Sequence, residues 1–144
     1  MNKRKMVVVI ELDNDGDWQG FVEDPNVCLN GVASTKEGVV AQIKDLIRDF
    51  QIHEWKDLAE WQGVNPDTDI EFEFAYSVLS LFDEFNFIKI GAVAKEAGIN
   101  AALLRAYACG DKNPSEAQAK KIESALRRLG QSLLNVSVVP AHAA

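Results

Sequence analysis

Three aspartates at alternate positions, Asp13, Asp15 and Asp17, form the arrangement in this sequence best suited to binding a metal ion. Their spacing resembles the start of a calcium-binding loop, in which carboxylates at alternate positions ligate the ion. Such a loop also needs a glycine and a bidentate glutamate further along, but Trp18 and Asp24 stand at those places. We therefore interpret the segment as a polar hairpin turn, and we expect no metal and no other cofactor.

The residue types used in catalysis form no recognisable pattern. The two histidines, His53 and His142, have no nucleophile pattern near them. Cys28 and Cys109 lie far apart without the spacing of a zinc site, so we interpret them as reduced thiols. We predict that the protein is not an enzyme.

The segment from Ile90 to Cys109 has the pattern of a helix-turn-helix, with helices predicted over Ile90 to Ala97 and Asn100 to Cys109. The residue at which two such helices cross must be small, and Ala94 occupies that place. Gly98 can supply the positive-φ turn between the helices. The inward positions are apolar and are predicted to be buried: Val93, Ala97, Ile99, Leu104 and Tyr107.

The second helix of this pattern would present its N-terminal end to the major groove of DNA. Asn100 is suited to cap this helix and to contact adenine, and Arg105 is suited to contact guanine. Ala101 and Ala102 offer only apolar packing on a thymine methyl group. Four nearby side chains are expected to contact phosphates: Lys89, Lys95, Lys112 and Asn113. Because so few side chains read bases, we expect a dimer or higher oligomer on a two-fold DNA site.

Charge is distributed unevenly along the chain. Residues 1–76 hold 16 acidic and 7 basic side chains, a net charge of −9, whereas residues 77–144 hold 8 basic and 6 acidic, a net charge of +2; together these give −7. An acidic first half suits a basic protein partner, and the second half is the one that could approach phosphates. No apolar run is long enough to span a membrane or to serve as a signal segment, so we expect a cytoplasmic protein.

Periodicity predicts an α+β fold in two domains, residues 1–76 and 77–144, with the boundary near Tyr76 and Ser77. The first domain is predicted to be a small antiparallel sheet with one helix packed across it, the helix beginning at a capping box of Ser34 and Glu37. The second is predicted to be all helical, with a short helix capped by Ser77, the helix-turn-helix and a long helix capped by Ser115. A short terminal strand is expected at Asn135 to Val139, and we expect it to pair with its copy from a second chain.

Several short segments carry a family resemblance through their order: Phe21-Val22-Glu23-Asp24-Pro25, Gly31 to Glu37, Ile70-Glu71-Phe72-Glu73-Phe74, Gly110 to Ser115, and Val136 to Val139. Together with the apolar first strand, they resemble the HicB antitoxins of bacterial HicA–HicB toxin–antitoxin modules, in the form with a C-terminal helix-turn-helix. The resemblance covers nearly the whole chain. It implies a partial ribonuclease-H-like first domain that masks a small RNA-cleaving HicA-type toxin, and a second domain that represses its own operon.

Two other interpretations fit the same residues. The chain could be a stand-alone transcriptional regulator whose first domain senses a ligand or only oligomerises. It could also be a protein-interaction module without DNA binding, since Ala101 and Ala102 lie where polar base readers are commoner. A neighbouring gene for a small basic protein favours the antitoxin, and salt-dependent DNA retardation argues against the last interpretation.

Overall fold

The computed structural model describes residues 3–24 and 27–141, and these residues form an α+β structure, as predicted. The strands are β1 (Arg4–Leu12), β2 (Trp18–Val22), β3 (Asn30–Ala33) and β4 (Ile70–Tyr76). The helices are α1 (Lys36–Ile52), α2 (Val78–Glu84), α3 (Ile90–Ala97), α4 (Ala101–Cys109) and α5 (Glu116–Leu134). Pro25 of the segment Phe21 to Pro25 lies outside the described residues. No helix in the described ranges has the length and apolar character needed to cross a membrane.

The chain divides into two compact units, Met1–Asp83 and Glu84–Ala144. This division lies further along the chain than the boundary predicted near Tyr76 and Ser77. The start of α2 is tied to the first unit, because the buried hydroxyl of Ser80 accepts a hydrogen bond of 3.0 Å from the backbone N–H of Leu12.

The sheet of the first unit has the strand order β3-β2-β1-β4 and is mixed. β1 pairs antiparallel with β2, and β2 pairs antiparallel with β3, but β4 runs parallel to β1 with Met6 opposite Phe72. The prediction of an antiparallel sheet was therefore wrong for β4. Two parallel strands of one sheet need a crossover connection, which is usually a helix. α1 is such a connection: it leads from β3 to β4, and β4 then lies parallel to both β3 and β1.

Helix α1 packs on the sheet through a stripe of fully buried aliphatic residues, Val39, Ile43 and Ile47. A side chain at Gly20 of β2 would place its Cβ 2.6 Å from Val39 Cγ1, so glycine permits the close approach of helix and strand. The N-cap is Thr35, not Ser34 as predicted: the Thr35 hydroxyl accepts from the N–H of Gly38 at 2.9 Å. Helix and sheet enclose one apolar core.

The second unit contains α3, α4 and α5, and the predicted bounds of α3 match the structure. Its interior holds Val93, Ala94, Ile99, Leu104 and Tyr107 together with Ile122 and Ala125 of α5, all buried. Ala97, which was predicted to be inward, is only half-buried. The predicted cap Ser115 is confirmed, because its hydroxyl accepts from the N–H of Gln118 at 3.2 Å.

The short strand expected at Asn135 to Val139 does not form in the single chain. Asn135 caps the end of α5, and the residues after it have no regular secondary structure. This unit offers no strand among its described residues with which the segment could pair, and an isolated strand leaves its backbone groups without partners. The apolar side chains around this segment are exposed: Leu133, Leu134, Val136, Val138 and Val139.

Candidate nucleic-acid interface

Gly98 turns the chain between α3 and α4. Its φ of 69° lies in the left-handed region, and its N–H is directed to the carbonyl groups of Ala94 and Lys95 at the end of α3. Ile99 then donates from its N–H to Ala94 at 2.9 Å. A Cβ at Gly98 would meet nothing within 4 Å, so the backbone conformation, not the available space, calls for glycine.

Asn100 is the N-cap of α4, as predicted. Its Oδ1 accepts from the N–H groups of Ala102 at 2.8 Å and Leu103 at 3.3 Å. These two bonds occupy the oxygen that a bidentate contact with adenine would need. The capping and base-reading roles predicted for Asn100 therefore compete for one atom.

The residue predicted at the crossing of the two helices, Ala94, lies within α3 and is buried. Ala94 is 1% exposed, and Leu104 of α4 is fully buried. A larger side chain at Ala94 would have to displace the atoms around it in a closely packed interior. The small residue therefore fits the predicted crossing position.

The exposed side of α4 carries one cation. Ala102 and Arg105 are exposed, and Ala101 is half-buried. The Arg105 guanidinium lies on the side of Gly91, where a Cβ built on that glycine would be 4.0 Å from Nη2. In residues 3–24 and 27–141, no carboxylate forms an ion pair with Arg105, so the guanidinium is free to bind an anion or a guanine edge.

The predicted phosphate contacts flank this helix along the chain. Lys95 is exposed on α3, and Lys112 and Asn113 are exposed in the segment that follows Gly110. Gly110 ends α4 in the left-handed conformation with φ 81°. The two lysines form no ion pair with the described carboxylates, so their charges are available to a polyanion.

Three cations of the described part of the second unit are already paired with carboxylates. Arg128 of α5 binds Glu96 of α3, and Lys120 and Arg127 pair with Glu116 and Glu123 along α5. The sequence pattern does not indicate the Arg128–Glu96 contact, because the two residues are distant in the chain. The cations of the second unit that form no ion pair among the described residues are Lys89, Lys95, Arg105, Lys112 and Lys121, and an anionic ligand could meet them without displacing a carboxylate.

The aspartates with metal-like spacing form the predicted hairpin turn. Asp13 Oδ1 accepts from the N–H groups of Asp15 and Asp17, both at 2.9 Å, and Gly16 adopts φ 85°. The hydrogen bond from the backbone of Asp17 is the main cause that lowers the pKa of Asp13. The carboxylate of Asp13 therefore serves the turn itself.

A second surface of interest is the face of the sheet that points away from α1. Acidic side chains on β1 and β4 are exposed there, namely Glu11, Glu71 and Glu73, with Glu23 just after β2. Phe21 lies on the same face and is 50% exposed. Lys5 pairs with Glu73 at 3.1 Å. The face is thus acidic with an apolar centre.

Comparison of the chain with protein-family models, with curated proteins and with solved structures finds no match.

Proposed function

We propose that the chain is an antitoxin of the HicB type. Its first unit binds and neutralises a small basic RNA-cleaving toxin of the HicA type, and its second unit binds operator DNA and represses its own operon. In this function the chain itself carries out no catalytic step.

The main support for the proposed DNA binding is Arg105, which lies on the exposed side of α4 and forms no ion pair with the described carboxylates. We interpret α3, the turn at Gly98 and α4 as a helix-turn-helix, with α4 as the recognition helix. Arg105 would read guanine, while Lys95 and Lys112 would bind phosphates and set the orientation of the helix. Asn113 would add a polar phosphate contact, and Ala101 and Ala102 would allow close approach to the groove.

The acidic character of the first unit supports the proposed toxin binding. Its sheet of four strands with one helix is the element that we interpret as partial ribonuclease-H-like. Glu11, Glu23 and Glu71 give it an acidic outer face that would attract a basic protein and speed its association at low ionic strength. Both proposed partners, an operator and a toxin that cleaves cellular RNA, lie in the cytoplasm, where we place this protein.

We further propose that the protein acts as a homodimer or a higher oligomer. One recognition helix with one free cation offers few base contacts, whereas two helices related by a dyad double them. The exposed apolar segment after α5, including Val136 and Val138, gives a surface whose burial would stabilise such an assembly.

The test is co-expression of the full chain with the product of the neighbouring gene, expected to be a basic protein of roughly 60–80 residues. That product alone should arrest growth, and the chain should restore growth and co-purify with it. A chain that binds its upstream DNA but neither rescues growth nor co-purifies with that product would instead be a stand-alone regulator.

A further inference from the structure

The two edge strands of the sheet in the first unit, β3 and β4, differ in whether a side chain binds their outward backbone groups. On β3, Gln42 of α1 does so. Its Oε1 accepts from the N–H of Val32 at 2.9 Å, and its Nε2 donates to the carbonyl of Val32 at 2.6 Å. These are the two backbone groups of β3 that an added strand would use at that point. Because one side-chain amide satisfies both, the β3 edge is blocked.

Among residues 3–24 and 27–141, no side chain makes a comparable pair of hydrogen bonds to the backbone of Phe72 or Phe74 on the edge formed by β4. The N–H of Arg4 donates to the carbonyl of Asp69 at 2.8 Å, which sets the phase of the parallel ladder. The backbone groups of Glu71 and Glu73 then face β1, and those of Phe72 and Phe74 face away from the sheet. In the part of the chain that the structure describes, these outward groups of Phe72 and Phe74 have no partner. Such an edge is a template for another strand.

The side chains along β4 differ on its two faces. On the outer face Glu71 and Glu73 are exposed, with Glu73 paired to Lys5. On the inner face Phe72 and Phe74 are half-buried, because α1 lies mainly over β3 and β2. They line a groove of about 430 Å³ whose helical wall includes Val40 and Ala41 of α1.

Both cations that line the groove, Lys44 and Arg48, form ion pairs, and Arg48 also pairs with Asp45 at 3.1 Å. Asp67 pairs with both Lys44, at 3.1 Å, and Arg48. Lys44 Nζ also lies 5.8 Å from the ring centroid of Phe72. Lys36 Nζ lies 5.3 Å from the ring centroid of Phe74 in the same way. An added strand would therefore meet carboxylates on the outer face and, on the inner face, aromatic rings contacted by the lysines of α1, so basic side chains would match the outer face and apolar side chains the inner one.

A second copy of the chain is a poorer match for this edge. In the antiparallel register of fullest overlap, Glu73 would lie directly opposite Glu73 of the second copy. Shifting the register so that the two Phe72 residues are opposite places Glu71 against Glu73. Like charges directly opposite one another destabilise a strand pair.

We propose that the free edge of β4 accepts an extended basic segment of a protein partner as an additional strand. Lysine or arginine side chains of that segment lie beside Glu71 and Glu73, and its alternate apolar side chains enter the groove beside Phe72 and Phe74. The surface follows from the structure alone, and its assignment to a toxin rests on the proposed function.

The test uses the full chain and a synthetic peptide of about seven residues alternating lysine and valine, the length of β4. Amide NMR shifts on titration should be confined to β4 and the facing side of α1, with slower hydrogen exchange at Phe72 and Phe74. Phe74→Pro removes an outward N–H without removing a ladder bond and should weaken binding at least about tenfold. Val32→Pro on the blocked edge is the matched control and should leave peptide affinity unchanged.

Charge reversal gives a second test that does not depend on proline. Glu71→Lys should weaken binding of the lysine–valine peptide and should favour a glutamate–valine peptide that the parent does not bind. Shifts that map elsewhere, an unchanged affinity in Phe74→Pro, or no reversal in Glu71→Lys would each overturn the proposal.

The same variants separate this proposal from the antitoxin function. If Phe74→Pro co-purifies with the basic product of the neighbouring gene as well as the parent does, the β4 edge is not the binding surface and the antitoxin function stands. If the parent binds the peptide through β4 but does not bind that product, the surface stands and the antitoxin function fails.

Discussion

Arg128 of α5 holds Glu96 of α3 through two hydrogen bonds, from Nε to the Glu96 carboxylate at 2.8 Å and from an Nη atom to the Glu96 backbone carbonyl at 2.9 Å. The second bond satisfies a carbonyl at the C-terminal end of α3, which the helix itself leaves without a partner. The pair therefore fixes the end of α3 just before the turn at Gly98.

Replacing Arg128 should destabilise the second unit modestly. Both side chains are partly exposed, so Arg128→Ala should lower the free energy of unfolding by about 1 kcal/mol, at the upper end for exposed pairs. Arg127→Ala is the matched control: Arg127 pairs with Glu123 within one helix and should cost about 0.3–0.5 kcal/mol. Urea denaturation measures both, and an equal loss in the two variants would contradict the bridging role of Arg128.

Substitutions at Asn100 should separate its contribution to stability, as the cap of α4, from any contribution to DNA binding. Asn100→Ala should cost about 0.5–2 kcal/mol of stability, because it leaves the N–H groups of Ala102 and Leu103 without their acceptor. Asn100→Ser should restore most of that stability. If capping is the whole role of Asn100, the serine variant will also bind operator DNA like the parent, whereas a stable variant with weaker binding would show that the amide contacts DNA.

We expect Asp67 to make a pH-dependent contribution to the stability of the first unit. The hydrogen bond from Lys44, followed by that from Arg48, lowers the pKa of Asp67 below its ordinary value. A lowered pKa in the folded state means that the carboxylate stabilises the fold above the unfolded-state pKa, about 3.9, and that this contribution is lost as the pH falls through the folded-state pKa.

Asp67→Asn should therefore lower the melting temperature at pH 7, and the difference from the parent should shrink as the solution becomes strongly acidic. Asp57→Asn serves as the control, since Asp57 is exposed and forms none of the ion pairs seen among the described residues. A difference that grows towards low pH in Asp67→Asn would have the wrong sign for this account.

We expect the apolar segment after α5 to join copies of the chain. Removing residues after Asn135 deletes Val136, Val138 and Val139, which are 60%, 89% and 70% exposed in the single chain. If their burial joins two copies, the truncated chain should show a lower mass by light scattering at the same concentration. A truncated chain that keeps the assembly state of the parent would exclude this segment as the subunit contact.

Local interactions explain why the second unit was predicted well. The caps at Asn100 and Ser115 and the glycines at Gly98 and Gly110 act on backbone groups within a few residues, so the sequence alone indicates where α4 and α5 begin. The burial of Val93 and Leu104 follows from helical periodicity in the same way.

Non-local contacts explain what was missed. The parallel pairing of β4 with β1 joins residues on either side of α1, and side-chain alternation is the same in parallel and antiparallel strands. The helix between β3 and β4 was the available signal for a crossover. The contact of Gln42 with Val32 had no signal, because an exposed glutamine on a helix has the same pattern whether or not it meets a strand edge.

We propose that α4 reads DNA through Arg105, and titration with operator DNA tests this role most directly. The full chain should bind DNA from upstream of its own gene with an affinity that falls as salt rises. Arg105→Ala should weaken binding at fixed salt by about 1–3 kcal/mol, on the order of 5- to 150-fold. Lys120→Ala, which alters an exposed cation already paired with Glu116, should bind like the parent. Equal affinities of the parent and Arg105→Ala, or a comparable loss in Lys120→Ala, would contradict the account.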